Sequence, residues 1–199
     1  MVAILTGDIK NSSEHKATEW LPHLKDALGK FGKEPKTWEI YRGDSFQLET
    51  QPENALDAAI YIKASIKQLR QMDVRIAIGI GQKTYDAEKI TQSNGPAFVN
   101  SGKCFENLKK QTLALKTTNK KFDDTINLLI QLATLTMDNW TPAISKTVKT
   151  AMENPKMNQK ELASILKKSQ GNISEELSKA GFDEVQKMIR FYKTQLLQL

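Results

Sequence analysis

Apolar and polar positions alternate along this chain with two different periods, and the change of period divides it. Residues 2–7 (Val-Ala-Ile-Leu-Thr-Gly) form a short continuous apolar run, as expected of a central strand. Ser12 and Ser13 then offer an N-cap for a helix carrying Trp20, Leu21, Leu24 and Leu28, with Pro22 as a point of kinking or restart. Residues 37–41 and 46–49 alternate apolar with polar positions and meet at Gly43-Asp44, the signature of a hairpin. Pro52 opens a helix with a stripe at Ala55, Ala59, Ile62, Ile66 and Leu69. In residues 74–81, Val74, Ile76, Ile78 and Ile80 alternate with Arg75, Ala77, Gly79 and Gly81. One face of that strand is aliphatic. The other is nearly bare, so a backbone or a ligand can approach it closely. After a polar loop over 82–94, Gly95-Pro96 opens a helix through Phe98, Val99, Phe105 and Leu108, and residues 112–117 form a further strand.

The order β-α-β-β-α-β followed by α-β predicts an α+β fold of the ferredoxin-like, palm type. One antiparallel sheet is expected, with helices on one face and the other face partly open. Beyond Thr117 only the helical period remains. Residues 122–138 carry a stripe at Phe122, Ile126, Leu129, Ile130, Ala133 and Met137. Helical patterns follow over 141–153, 158–168 and 172–197, broken at Asn154-Pro155 and Ser169-Gln170-Gly171, with a further possible break at Gly181. The expected organisation is a domain over 1–118, a connecting helix over 119–139 and an all-helical domain over 140–199.

Composition narrows the setting. Of 199 residues, 39% are hydrophobic and 26% charged, the profile of a globular protein. No apolar run approaches a membrane span. Met1 leads into residues 2–5 without a basic segment, so a strand is expected there rather than a signal peptide, and a cytoplasmic setting with it. The lone cysteine, Cys104, has no partner for an internal disulfide, and with only two histidines there is no cluster for structural zinc. The net charge is +6. Residues 140–199 hold ten basic and six acidic side chains, a balance compatible with a nucleic-acid surface.

Two aspartates carry the chemistry. Asp8 follows the first strand and Asp44 lies at the hairpin tip. In a βαββ arrangement these two places are adjacent. Converging carboxylates would share Mg²⁺ or Mn²⁺ and hold a nucleotide triphosphate, with the Ile9 carbonyl as a third ligand. Lys10, Asn11, Ser12 and Ser13 would meet phosphate oxygens at the following helix start. Each aspartate alone is also ordinary turn or capping chemistry.

The set Leu5-Thr6-Gly7-Asp8-Ile9, Gly43-Asp44-Ser45-Phe46, Arg75 to Gly81 and Gly95 to Asn100 resembles class III nucleotidyl cyclases in order and approximate spacing. Arg42 to Phe46 is also similar to the hairpin of diguanylate cyclases. Over the whole chain the similarity is to the small bacterial SatD-like family, which joins such an N-terminal half to a helical C-terminal half. The cyclase resemblance covers residues 2–117. It implies that Asp8 and Asp44 are metal ligands and catalytic groups. Cyclases stabilise the transferring phosphate with an Asn and an Arg four apart. Asn100 is present, but Cys104 stands at the Arg position. Either the substrate differs, or Lys103, one step around the helix, or Arg42 substitutes, or the domain binds a nucleotide without turning it over. The base-selecting Lys or Glu of the family is Ile40 here. Loss of an Arg from such a place removes several kcal/mol of transition-state stabilisation, so binding is expected more than turnover.

Residues 158–177 resemble a bacterial helix-turn-helix through Gln159, Ala163, Ser169-Gln170, Ile173-Ser174 and Leu177. The resemblance implies that Gln170, Asn172, Ser174 and Ser178 face the groove of double-stranded DNA, with Lys167, Lys168 and Lys179 near phosphates. Glu175 and Glu176 depart from it, since carboxylates oppose DNA. Phe182, Val185, Ile189, Tyr192, Leu196 and Leu199 alternate three and four apart, the spacing of a coiled-coil seam or of helix packing within the domain. The seam would make a homodimer.

The expected function is a nucleotide-responsive DNA-binding transcriptional regulator with a cyclase-like domain. Its ligand would be a nucleotide triphosphate or a cyclic nucleotide. The alternatives are an active nucleotidyl cyclase or small nucleotide polymerase making a cyclic product, and a scaffold with neither activity.

Overall fold

The computed structural model describes residues 1–197 of the chain, an α+β arrangement of five strands and eight α-helices among those residues. The strands are β1 (Val2–Lys10), β2 (Trp38–Tyr41), β3 (Ser45–Thr50), β4 (Asp73–Gly81) and β5 (Leu113–Lys116). They form one sheet in the order β2-β3-β1-β4-β5. The helices are α1 (Ala17–Gly29), α2 (Ala55–Ile66), α3 (Pro96–Glu106), α4 (Lys120–Met137), α5 (Pro142–Glu153), α6 (Gln159–Leu166), α7 (Gln170–Lys179) and α8 (Phe182–Leu196).

The first four strands pair antiparallel, as the alternation predicts, but β5 runs parallel to β4. The sheet is therefore mixed. The reason lies in α3, which carries the chain back across the sheet so that β5 starts at the same end as β4. Helix α3 also lies on the face expected to stay open. Ala77, Cys104, Leu108 and Ala114 make one small apolar cluster there, and Ile4, Ile90 and Ala97 make another. The bare face of β4 is what admits the helix. A Cβ on Gly79 would stand 2.2 Å from the Ser101 amide nitrogen and 2.3 Å from the Ala97 carbonyl. Thr6 completes the contact through a 2.9 Å hydrogen bond between its hydroxyl and that of Ser101.

The opposite face carries the main core. Ala3, Leu5 and Ile9 of β1, Phe46 and Leu48 of β3, and Val74, Ile76, Ile78 and Ile80 of β4 all point into it. Helix α2 is the centre of this layer. Every residue from Ala55 to Ile66 except Asp57 is buried, so the expected single stripe is instead an apolar surface all round. The same cluster takes in Phe122, Ile126, Ile130 and Met137 of α4, Ile144 and Val148 of α5, and Val185, Ile189, Tyr192 and Leu196 of α8. Packing is thus continuous across residues 119–139, where a domain boundary was expected. The α8 seam turns inward, and the Tyr192 hydroxyl donates to the Pro52 carbonyl at 2.6 Å. It is not available as a dimer seam. Leu199, the last seam position, lies outside the described residues.

Two local differences bear on the first aspartate. Strand β1 runs on to Lys10, pairing with Asp73 across the ladder, so Asp8 lies within the strand rather than at its end. Burial of Ile9 in the main core carries the strand past it. Ser12–Glu14 form only a short 3₁₀ turn, and α1 begins at Ala17 with Pro22 inside it. A helix N-terminus at Ser12-Ser13 is therefore absent. Trp20, Trp38 and Trp140 are all buried, as packing residues should be.

Candidate functional site

The end of the sheet where β1 stops, the 42–44 turn closes and β4 and β5 begin gathers most of the expected residues. Asp8 faces Ser45 across one ladder and Arg75 across the other. Cross-strand partners share a face. Tyr41 pairs with Ser45, so Tyr41, Ser45, Asp8 and Arg75 line up on the face that α3 partly covers. Ile40 packs against the main core instead, and Glu39 is the polar neighbour pairing with Gln47.

Asp8 and Asp44 come together here. The Ile9 amide donates to the Asp44 carbonyl at 3.3 Å. The Ser12 hydroxyl donates to Asp44 Oδ2. Arg75 holds Asp8 through two bonds, Nε to Oδ1 at 2.9 Å and Nη2 to Oδ2. This fork is a strong, orienting form of ion pair. The Asp8 hydrogen bond, opposed by burial, raises the Arg75 pKa, and the charges of Asp8 and Asp44 add to it. Phe105 lies under the guanidinium, 5.4 Å from ring centre to Cζ. Burial first, then the charge of Asp8 against that of Arg42, raises the Tyr41 hydroxyl.

A cavity of about 460 Å³ opens beside Asp8, lined by Asp8, Ile9, Lys10, Asn11, Arg75, Lys109 and Lys110. Four of the five non-glycine residues with left-handed backbone among those described stand in turns at this end: Asn11, Arg42, Gln71 and Lys109. The Asn11 side-chain amide donates to the Gln71 carbonyl at 2.8 Å and ties two of those turns together. Left-handed residues of this kind cluster where function constrains a backbone.

Mg²⁺ wants near-octahedral oxygen donors. Both oxygens of Asp8 are engaged by a guanidinium, and Asp44 receives the Ser12 hydroxyl. Among the described residues no three His, Cys, Asp or Glu side chains are grouped to hold a metal ion. A guanidinium held on the Asp8 carboxylate repels a divalent ion there. The residues present, as arranged, do not fit the expected Mg²⁺ or Mn²⁺ site with Asp8, Ile9 and Asp44 as ligands.

Other expected members lie elsewhere. Asn100 is buried and donates to the Ile80 carbonyl at 2.9 Å. Ile80 pairs with Ala3, five residues along β1 from Asp8, roughly 17 Å at strand spacing. Asn100 therefore anchors α3 to the sheet. Lys103 lines a different groove, between α3 and α4. Ser13 and Arg42 are exposed and outside the lining of the cavity beside Asp8. Cys104 is buried, and burial followed by the charge of Asp123 pushes its thiol up to about 11.

Residues 167–169 join α6 to α7 with Lys167 left-handed and Ser169 capping α7. Asn158 and Glu161 form a capping box at the start of α6. Ala151, Leu162, Ala163 and Ile173 make the cluster that fixes α7 against α5 and α6. Lys167, Gln170, Asn172, Ser174, Ser178 and Lys179 are exposed. Lys168 is not free for phosphate: its ammonium lies 2.7 Å from Glu176, which also receives the Thr147 hydroxyl at 2.5 Å. Glu176 therefore faces α5 rather than a groove. Glu175 pairs with Lys179 at 2.7 Å on the surface.

Arg75, Lys109 and Lys110 are the members that sequence reasoning missed. The signal for Arg75 was its place as the one charged residue on the bare face of an otherwise apolar strand. Lys109-Lys110 carried no local signal, because only the β4-α3-β5 crossover brings the 107–112 turn beside Asp8. Comparison of the chain with family models, curated proteins and solved structures gives no match.

Proposed function

We propose that the chain is a nucleotide-responsive DNA-binding regulator. The observation that carries this reading is the convergence of Asp8, Asp44, Ser12 and Arg75 beside a cavity whose other charged walls are all lysines. Strand order supports the ferredoxin-like, palm reading of the sheet, since β1 and β3 lie between β2 and β4. A phosphate-bearing ligand suits the cavity by charge, and a volume of about 460 Å³ is within the usual range for small-molecule sites.

The DNA-facing part of the reading rests on α7. Its exposed side chains are those the helix-turn-helix resemblance selects, and Glu176 is withdrawn from them by Lys168. One of the two opposing carboxylates is thereby removed. A homodimer gains no support from α8, whose apolar positions are consumed within the chain.

The test is a mobility-shift screen of the full chain against a library of duplex DNA at low salt, with and without each nucleoside triphosphate. Retention of some duplexes, weakened by Gln170→Ala with Lys179→Ala and altered by one nucleotide, is expected. Absence of any retained duplex would sink the DNA half of the reading. Steady pyrophosphate release from a triphosphate, lost in Asp44→Ala, would replace regulator with enzyme.

A further inference from the structure

Arg75 occupies both oxygens of the Asp8 carboxylate, the group that a metal-dependent site would turn toward its cation. Its guanidinium is held by the Asp8 carboxylate and lies over the Phe105 ring. Two of its five N–H donors engage Asp8, which leaves three to serve another acceptor. Arg75 and Asp8 cancel in charge. Lys10, Lys109 and Lys110 do not: all three are exposed and line the same cavity. Among the residues that line the cavity, three positive charges thus have no lining carboxylate to balance them, around a planar donor group held by Asp8. A single phosphate would leave most of its 460 Å³ unfilled. A chain of phosphates would reach from Arg75 to the lysines.

We propose that this cavity is a metal-independent oligophosphate site, in which Arg75 takes the role that a divalent cation would otherwise have. This rests on the nucleotide reading above and deepens it: the ligand is held by its phosphate chain, and Asp8 acts by orienting Arg75. Lys109, left-handed at φ 51°, and Lys110 come from the turn before β5, while Lys10 comes from the end of β1. Binding therefore bridges three strands, and a guanidinium already locked in place has little freedom left to lose. The same chemistry would accept inorganic tripolyphosphate or the phosphate tail of a nucleoside triphosphate.

Calorimetric titration of the full chain decides the matter, using inorganic tripolyphosphate and each nucleoside triphosphate, in EDTA and again in Mg²⁺. Binding in EDTA at least as tight as in Mg²⁺ is expected. The Lys109→Ala/Lys110→Ala double variant should weaken it about tenfold or more, as loss of charge-assisted bonds does, with an unchanged melting temperature. Asp8→Asn should weaken it by less, because Arg75 stays present but loosely held. Binding seen only with Mg²⁺ and abolished by Asp8→Asn would overturn metal independence while leaving the nucleotide reading intact. Binding in EDTA that ignores the double variant would place the ligand elsewhere and overturn the site. A nucleoside triphosphate binding more tightly than tripolyphosphate supports both readings. No binding of any probe under either condition would overturn both.

Discussion

Two cations meet carboxylates at the same end of the sheet, and they do different work. Lys63 of α2 is 2% exposed and reaches Asp73 at 2.8 Å, Asp138 at 2.7 Å and the Thr112 hydroxyl at 3.2 Å. Its three donors are all matched. Arg75 of β4 is 37% exposed, holds one carboxylate and lines a cavity shared with three lysines. The first group is a staple between α2, the start of β4 and the end of α4. The second is half a site. Burial and donor matching tell them apart, where charge and proximity alone would not.

That contrast can be broken most severely at Lys63. Lys63→Met takes the buried cation from Asp73, leaving it Lys67 at 3.4 Å, and from the partly exposed Asp138; loss of one partner of a buried pair costs up to about 3–5 kcal/mol. Urea denaturation should show a loss of that size; a loss below about 1 kcal/mol would put Lys63 and Arg75 in the same class. Next comes Gly79→Ala. An added methyl runs into the α3 backbone, and overpacking of this kind costs about 1–3 kcal/mol. A thermal melt unchanged by it would mean that α3 does not rest on the bare face of β4. Arg75→Met is expected to change stability by no more than about 1 kcal/mol, as for partly exposed pairs generally, while tripolyphosphate affinity falls about tenfold. Equal damage to fold and binding would erase the distinction between staple and site.

The smallest effect concerns Cys104, on the helix that covers Arg75's strand. Its thiol is raised from 9.0 to about 11 by burial, so the folded state keeps a proton that the unfolded state gives up. Its contribution to stability is whole below pH 9 and declines as pH rises toward 11. Unfolding curves collected across that range should slope downward, and Cys104→Ala should flatten part of the slope. Slow alkylation of the native thiol at pH 8 is the companion result.

Much of the fold was legible because its signals are local. The alternation over 74–81 became β4, and the stripe from Phe122 to Met137 became the inward face of α4. The hairpin turn at 42–44 and the α6–α7 turn were announced by Gly43-Asp44 and Ser169-Gln170. Misplaced features were those where a local signal had two physical uses. Gly79 and Gly81 announced a close approach, and a helix backbone rather than a ligand took it. The three-four spacing of α8 announced a buried seam, and the chain's own core rather than a second copy fills it. Asn100 fitted a phosphate contact by motif but serves the Ile80 carbonyl.

By itself the sequence determined the element types, the two periods, the mildly basic balance and the turn that holds Asp44, because propensity, patterning and turn chemistry act over a few residues. Only the tertiary structure decided that Asp8 and Asp44 share one end of the sheet and what stands beside them. Cross-strand register set Arg75 opposite Asp8, and the crossover through α3 delivered Lys109 and Lys110 from more than thirty residues away. Charges so far apart in the chain meet only when the backbone between them is folded, so their sum, and the kind of ligand it favours, is a property of the fold.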